Sequence, residues 1–513
     1  MNIRKIIDFR PVQVLLLCLA LGMSFATTIA QKSYAKKPPT TATEPTPKPT
    51  PERSREIVTL LNDARLAAPE LAVDTFLRVL EAKKVTDPVW RKEILDEAQR
   101  MIADVQHAMP MSLAFGKQNE LNDTDAYIKA SVLLRKLDRL SFQSRLISLV
   151  LDTDPSRARQ MIFQIGGDLG LKPRSCEDVL TYLPDDIYAT AAKVGTISFT
   201  KRQIAEGQRS LFLLPWIESI ESPTQILPAL NMVKQMQGSP VERQMLFNAL
   251  SRSIDRNFKD DRSFTNSQGW GYIAAQINKL VAGDTDPLKS GLVAAYRSML
   301  LKNLSGARCT DNAIKKDQPL PEYIVEANKL FPEKPLILDD VITSETNGTA
   351  KLSHLYQKSR AVKALFQEGA AVKGMTVVGN KLVKHDQKDP EWISRVSSFI
   401  DKLLAFEGSE GETETELLMF KSAFLGAMLS DAVEPGELRR TIVRRSLHLI
   451  LGSPLQKTDF VQWLFWLKGV ETFAPDDFAV IAPELPNQNI KVLLAMRKLG
   501  ILDDKKFSEQ SPK

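Results

Sequence analysis

From Glu52 onward the apolar positions of this chain recur with the period of a helix. After Asp154-Pro155 they fall at Ala158, Met161, Ile162 and Ile165. After Asp389-Pro390 they fall at Ile393, Val396, Ile400, Leu403 and Leu404, and after Ser239-Pro240 at Val241, Met245, Leu246, Leu250, Ile254 and Phe258. Spacings of three and four gather each set into one stripe along a helix and leave the opposite face charged. One spelling of the helix start recurs at Asp87-Pro88, Asp154-Pro155, Ser222-Pro223, Ser239-Pro240, Asp286-Pro287, Asp389-Pro390 and Ser453-Pro454. The Asp or Ser oxygen accepts a bond from an orphan amide. Proline at the first helical position loses nothing, because its N–H would have had no partner.

These starts lie 67, 68, 17, 47, 103 and 64 residues apart, so they follow no repeat. The longer intervals hold further helices, predicted over Asp185–Lys193, Thr200–Ile220, Glu412–Ser430 and Glu437–Leu451. Helices of about 11–12 residues with short loops would number roughly 18 or more in such a body. One hydrophobic core stops growing near roughly 250–300 residues, and the body from Glu56 to Lys513 is longer than that. The predicted fold is therefore all-α, either an irregular multi-helix α-solenoid or stacked helical bundles. Helix pairs packed only on their neighbours, as in divergent TPR- or HEAT-like stacks, satisfy both the stripes and the uneven spacing. This likeness is architectural and names no family.

Two stretches depart from the helical period. Leu338–Ala350 reads as an exposed loop, and Met375–Val383 as two β-prone pieces around Gly379-Asn380, a turn suited to one small β-hairpin. Glu407–Glu416 is acidic and reads as a solvated connector. The body accordingly divides into an N-terminal helical region (56–340), a connection holding the loop and hairpin (341–390) and a C-terminal helical region (391–513).

The first 55 residues follow another logic. Arg4, Lys5 and Arg10 precede Val12–Met23, an apolar run of 12 residues. A membrane span needs about 20, whereas the core of a secretory signal takes roughly 7–15. Residues 1–35 are read as a signal peptide cleaved after Ala30 or Ala35; the alternative is an uncleaved anchor built on Pro11–Ala30. Cys18 follows Leu17 rather than a small residue, which argues against lipidation. Residues 36–55 carry Pro38, Pro39, Pro45, Pro47, Pro49 and Pro51 and are read as a disordered Pro/Thr-rich linker. The address that follows is export, to a periplasmic or extracellular space, with membrane contact only through an uncleaved N-terminus.

Charge supports this division. The net charge is +6, of which residues 1–35 supply +3 and residues 36–55 another +3, so the body is neutral overall. Nucleic-acid binders concentrate Lys and Arg on the folded domain, and no nucleic-acid partner is expected. Removal of the signal leaves Cys176 and Cys309, a candidate disulfide in an oxidising compartment.

Candidate chemistry is sparse. His107, His354, His385 and His448 show no metal-ligand spacing. The Asp-Thr-Asp triplets at Asp123, Asp152 and Asp284 lack the remaining ligands of a calcium loop, and Asp125, Asp154 and Asp286 read as helix caps. Gly166–Gly170 has no preceding strand and no following Gly-Lys-Ser/Thr, and reads as a helix stop. Trp463 and Trp466 sit three apart in an apolar helix and read as core. No catalytic, cofactor-binding or metal residue is assigned, and no cofactor is expected. The functional expectation is an exported binding or assembly scaffold that grips a protein, peptide or cell-envelope component. The alternative is an exported helical-toroid glycan-active enzyme, hydrolase or lyase, which would need an acid pair in an aromatic cleft.

Overall fold

A computed structural model of the chain describes residues 53–502, less 106–135, 167–168, 170–183, 237, 259–260, 262–266, 282–286, 349–359, 373–374, 379–380, 385, 409–413, 431–434 and 459. Residues 1–35, read above as a signal, and almost all of the expected linker lie outside these residues. No helix among the described residues is long and apolar enough to cross a membrane.

The described residues are built almost wholly from α-helices. The N-terminal helices are α1 (Arg55–Ala64), α2 (Pro69–Glu81), α3 (Pro88–Met101), α4 (Arg139–Leu151), α5 (Pro155–Ile165), α6 (Asp185–Ile197), α7 (Lys201–Ala205) and α8 (Gln208–Glu218). Next come α9 (Ile226–Gln235), α10 (Pro240–Ile254), α11 (Ser267–Val281), α12 (Pro287–Leu304), α13 (Glu322–Asn328) and α14 (Leu338–Val341). The remainder are α15 (Arg360–Ala371), α16 (Pro390–Ala405), α17 (Glu414–Ser430), α18 (Glu437–Leu451), α19 (Leu455–Thr458), α20 (Phe460–Phe473), α21 (Pro475–Ile481) and α22 (Gln488–Lys498).

Two rows of helices run through the first part. Helices α2, α4, α6, α9, α11 and α13 each pack on the next, and α8, α10, α12 and α14 form the second row against them. Most of these helices meet their neighbour in sequence or the one beyond, as in a solenoid, while α6 reaches past α7 and α8 to α9. The later helices cluster more tightly, with α18 touching α16, α17, α20 and α21.

The caps act as their spelling implies. Asp87 Oδ1 accepts from the Trp90 amide at 2.6 Å, Asp154 from Arg157 at 2.9 Å, and Ser239 from Glu242 at 3.2 Å. Ser222-Pro223 opens a 3-10 turn closed by a reciprocal bond from the Ser222 amide to Gln225. Asp154→Ala should lower stability by about 1 kcal/mol, read as a small fall in melting temperature; an unchanged melt would show that the cap contributes nothing.

The stripes hold, with one instructive exception. Ala158, Met161 and Ile162 are buried on α5, and Val396, Ile400 and Leu403 on α16. On α10 the core face is Leu246, Leu250 and Ile254, but Val241 is 71 % exposed while Glu242 is 3 % exposed. Glu242 stands four residues before Leu246 and shares its face; Val241 is one step off the stripe. Thr200–Ile220 is two helices rather than one, because Gly207 takes φ +75° between α7 and α8. A side chain at that angle would be strained.

Leu338–Ala350 is also corrected. It forms α14 and then β2 (Glu345–Thr346), which pairs in parallel with β1 (Ala307–Arg308). The hairpin is present as β3 (Met375–Val378) against β4 (Lys381–Lys384), antiparallel with Val378 opposite Lys381.

The last helix, α22, lies against the first. Asn489 Oδ1 accepts from the Ala68 amide at 2.8 Å at the start of α2, where Ala68 has no side-chain acceptor of its own. Asp63 receives Lys491 Nζ at 2.7 Å, its backbone oxygen receives Gln488 Nε2 at 2.7 Å, and the Thr75 hydroxyl points at Met496 Sδ at 3.2 Å.

Candidate functional site

A groove of about 470 Å³ lies where α2, α4 and α6 run side by side. Its floor is made of short side chains, Ser144 and Ser148 from α4 with Ala189 and Thr190 from α6. The spacing of four puts Ser144 and Ser148 on one stripe of α4, while Ala189 is exposed beside buried Thr190 on α6. The Ser144 and Thr190 hydroxyls bond each other at 2.6 Å, and Ser144 also donates to the Asp186 carbonyl at 2.9 Å. These bonds fix the pitch of α4 against α6.

Charged groups ring this floor. Lys136 Nζ lies 2.8 Å from Asp186 Oδ2. Arg145 reaches Glu81 through both Nε, at 2.8 Å, and Nη2, at 2.9 Å, and turns Nη1 to Asp74 at 2.8 Å. Its guanidinium also lies 5.7 Å from the Phe142 ring centroid. Asp152 and Lys193 are exposed at the rim. Side chains of both signs thus border a hydroxyl-bearing floor, and among the described residues no aromatic side chain lines the groove.

The wall is anchored from below by Asp74, which is buried and held between Arg78 at 2.7 Å and Arg145 at 2.8 Å. Burial alone would raise its carboxyl, but the two guanidinium groups outweigh burial and hold it below the ordinary carboxylate range. Arg145 is raised in turn: burial opposes its charge, and Asp74 and Glu81 more than compensate. A carboxyl held low in the folded chain stabilises it at every pH above its unfolded value of about 3.9. That stability fades as pH falls from there through the lower folded value. Asp74→Asn should therefore lower the melting temperature at pH 7 and flatten its fall below pH 4; parallel curves for the two proteins would refute the linkage.

A second buried pair lies further along. Arg209 Nε and Nη2 bond Glu242 Oε1 and Oε2 at 2.8 and 2.6 Å, joining α8 to α10, with side chains only 6 % and 2 % exposed. Glu242 is held low: burial opposes ionisation, and Arg209 overrides it. Sequence reasoning passed over Asp74, Arg145, Arg209 and Glu242. A signal was present in Asp74, within the apolar run Leu71–Leu80, and in Glu242, on the α10 stripe.

Of the residues singled out in the sequence, the described ones, Cys309, His448, Asp154 and Trp463, lie on separate elements. Cys309 follows β1 and is 2 % exposed; Cys176 lies outside the described residues. His448 is exposed, with Nδ1 2.7 Å from the Arg444 carbonyl, while His107, His354 and His385 lie outside the described residues. Asp154 is a cap, and Asp123, Asp125, Asp284 and Asp286 are not described. Trp463 is fully buried and stacked 5.4 Å from Phe460, and Trp466 packs half-buried on the core. Both tryptophans belong to the packing of α20.

No protein-family model matches the chain, and no curated protein or solved structure matches it either.

Proposed function

We propose that this protein is an exported helical scaffold whose α2–α4–α6 groove grips an extended peptide segment of a protein or cell-envelope partner. The observation that carries this reading is a border of fixed charges of both signs around a floor of hydroxyls. A peptide strand offers N–H and C=O groups to Ser148 and the Ser144–Thr190 pair, while side chains of either sign meet Lys193, Lys136 or Asp152 at the rim. Short floor side chains let a backbone approach closely. Sugar rings favour aromatic platforms, which the described lining of this groove lacks, and of its three acids Glu81 and Asp186 are each engaged by a cation while Asp152 stands exposed at the rim. The glycan-active alternative is carried as an outcome of the test.

The full chain serves as bait on an envelope fraction, beside a Lys193→Glu/Asp152→Lys variant that reverses the rim. Capture of a partner by the wild type that is lost or exchanged in the variant supports the groove. Identical capture by both refutes it. Release of reducing ends from envelope glycan, lost in Glu81→Gln or Asp186→Asn, would establish the enzyme instead.

The address belongs to the same proposal. Secreted material should begin between Thr27 and Lys36, with the Pro/Thr-rich linker ahead of the helical body. A mature chain still starting at Met1 would replace cleavage with anchoring.

In an oxidising compartment Cys176 and Cys309 form a bridge, spanning 133 positions of sequence. Loop-closure entropy for that length is worth roughly 4–5 kcal/mol, less any native strain. Unreduced, denatured mature protein should take up no maleimide; labelling of both thiols would remove the bridge.

A further inference from the structure

The short parallel pairing after α14 contains a chemically reactive peptide. β2 lies on β1 with Glu345 opposite Ala307 and Thr346 opposite Arg308. Two more backbone bonds extend the pairing beyond the strands. The Asn347 N–H donates to the Arg308 carbonyl, and the Thr310 N–H donates to the Gly348 carbonyl, each at 2.8 Å. Between these two bonds runs Asn347-Gly348, the one Asn-Gly pair in the sequence. Both residues are exposed. Gly348 takes φ +112°, a conformation that L side chains rarely adopt. Apart from its chain neighbours, no heavy atom of the described residues comes within 4 Å of where a Cβ would stand, so that side of the Gly348 backbone is open.

We infer that Asn347-Gly348 is a self-modifying site, which converts to an isoaspartyl linkage and thereby unfastens the β1–β2 pairing beside Cys309. The Gly348 nitrogen attacks the Asn347 side-chain carbonyl carbon, Cγ. An N–Cγ bond forms, the Cγ–Nδ2 bond breaks, and ammonia leaves carrying the proton of the Gly348 amide. Water then opens the resulting succinimide. Opening at Cγ gives an ordinary aspartyl peptide. Opening at the main-chain carbonyl carbon leaves the chain running through Cγ. The balance is water in and ammonia out, with no change of oxidation state. Asparagine is among the thermolabile residue types, and exposure leaves its side chain room to turn onto the following nitrogen. A Cβ at position 348 would crowd that nitrogen, but the backbone angle there selects glycine, so the fold itself maintains the reactive pair. The isoaspartyl form has one more main-chain atom between the 347 Cα and the 348 nitrogen. The bonds to Arg308 and Thr310, one on each side of that linkage, then cannot both keep their register. β1 is only 2 residues long, so little else holds the segment in the sheet. What it fastens is close by: the Cys309 amide donates to the Asp261 carboxylate, and Arg308 Nη2 lies 3.0 Å from Asp261 Oδ1.

The test holds the full chain in mildly alkaline buffer and follows ammonia release, peptide maps and amide hydrogen exchange. Residue 347 should gain the mass of amide-to-acid conversion, part of it as isoaspartate detected by enzymatic methylation of its carboxyl. Asn62, exposed on α1 but followed by Asp63, should stay intact over the same period. So should buried Asn303, whose amide donates to the Arg256 and Met299 carbonyls. The Thr310 amide should exchange severalfold faster in the isoaspartyl chain than in fresh protein, because exchange reports local opening. Asn347→Gln, whose longer side chain closes the ring poorly, should lose the modification. Asn347→Asp adds the charge without the extra main-chain atom and, before incubation, should keep Thr310 protected. Survival of the Asn347 amide, conversion of Asn62 at the same rate, unchanged Thr310 exchange in the isoaspartyl chain, or loss of Thr310 protection in Asn347→Asp would overturn the inference.

Discussion

Glu242→Ala should be among the most damaging single substitutions in this chain, lowering stability by about 3–5 kcal/mol. The glutamate accepts both bonds of the Arg209 fork, and neither side chain is appreciably exposed. Removing the carboxylate leaves a guanidinium charge inside the protein with its main counter-ion gone. The loss would therefore exceed the net worth of the pair, because burying an unpaired charge is the larger cost. The companion experiment separates the two quantities. Arg209→Met with Glu242→Leu keeps the volume and removes both charges, so it should recover most of the loss. Thermal and urea melts of the three variants check this. If Glu242→Ala costs under about 1 kcal/mol, the pair behaves as a surface bridge and the burial argument fails.

The second large effect concerns the contact between the ends of the chain. A protein ending at Leu485 loses α22, and with it buried Ile490, Val492, Leu493 and Met496. At about 1.5–3 kcal/mol for each large apolar side chain, the burial forfeited is on the order of 6–12 kcal/mol. The truncation also removes one of the two helices packed on α1, a helix of 10 residues whose Ile57, Leu60 and Leu61 are buried. Isolated helices that short are marginal in water. Beyond the linker, proteolysis of the helical body should consequently begin within residues 55–64, far in sequence from the deletion, and the melting temperature should fall sharply. A peptide spanning residues 486–502, added in trans, should restore protection. Unchanged protease resistance of α1 in the truncated chain would show that the α1–α22 contact is not structural.

These expectations show where sequence suffices. The all-α class, six of the seven capped starts (Asp286 lies outside the described residues), the stripes of α5 and α16 and the small hairpin are all local patterns. A cap reads its own next turn, and a stripe needs only the 3.6-residue period. Both survive whatever the chain packs against. Errors arose where a local pattern met a distant partner. Leu338–Ala350 lacks a periodic stripe, yet part of it becomes a strand because Ala307–Arg308 offers an edge. Val241 fits the α10 count but yields the buried position to Glu242, since Arg209 on α8 makes that carboxylate tolerable inside.

The candidate site was less legible than the fold. Its floor residues, Ser144, Ser148, Ala189 and Thr190, are ordinary surface types in a sequence and become a floor only when α4 and α6 align. Asp74, Glu81 and Arg145 come from two helices, and nothing in their local spelling announces the network.

By itself the sequence determined that the body is helical, where many of its helices begin, which faces are apolar, and that the cationic excess lies in the first 55 residues. These follow from short-range periodicity, capping chemistry and composition. Only the tertiary structure decided that the last described helix caps and covers the first, that Asp74 and Glu242 are buried against arginines, and that α2, α4 and α6 align into a groove. Each of those depends on residues brought together from tens to hundreds of positions apart. Their energy comes from desolvation and close packing, which exist only once the partner has arrived.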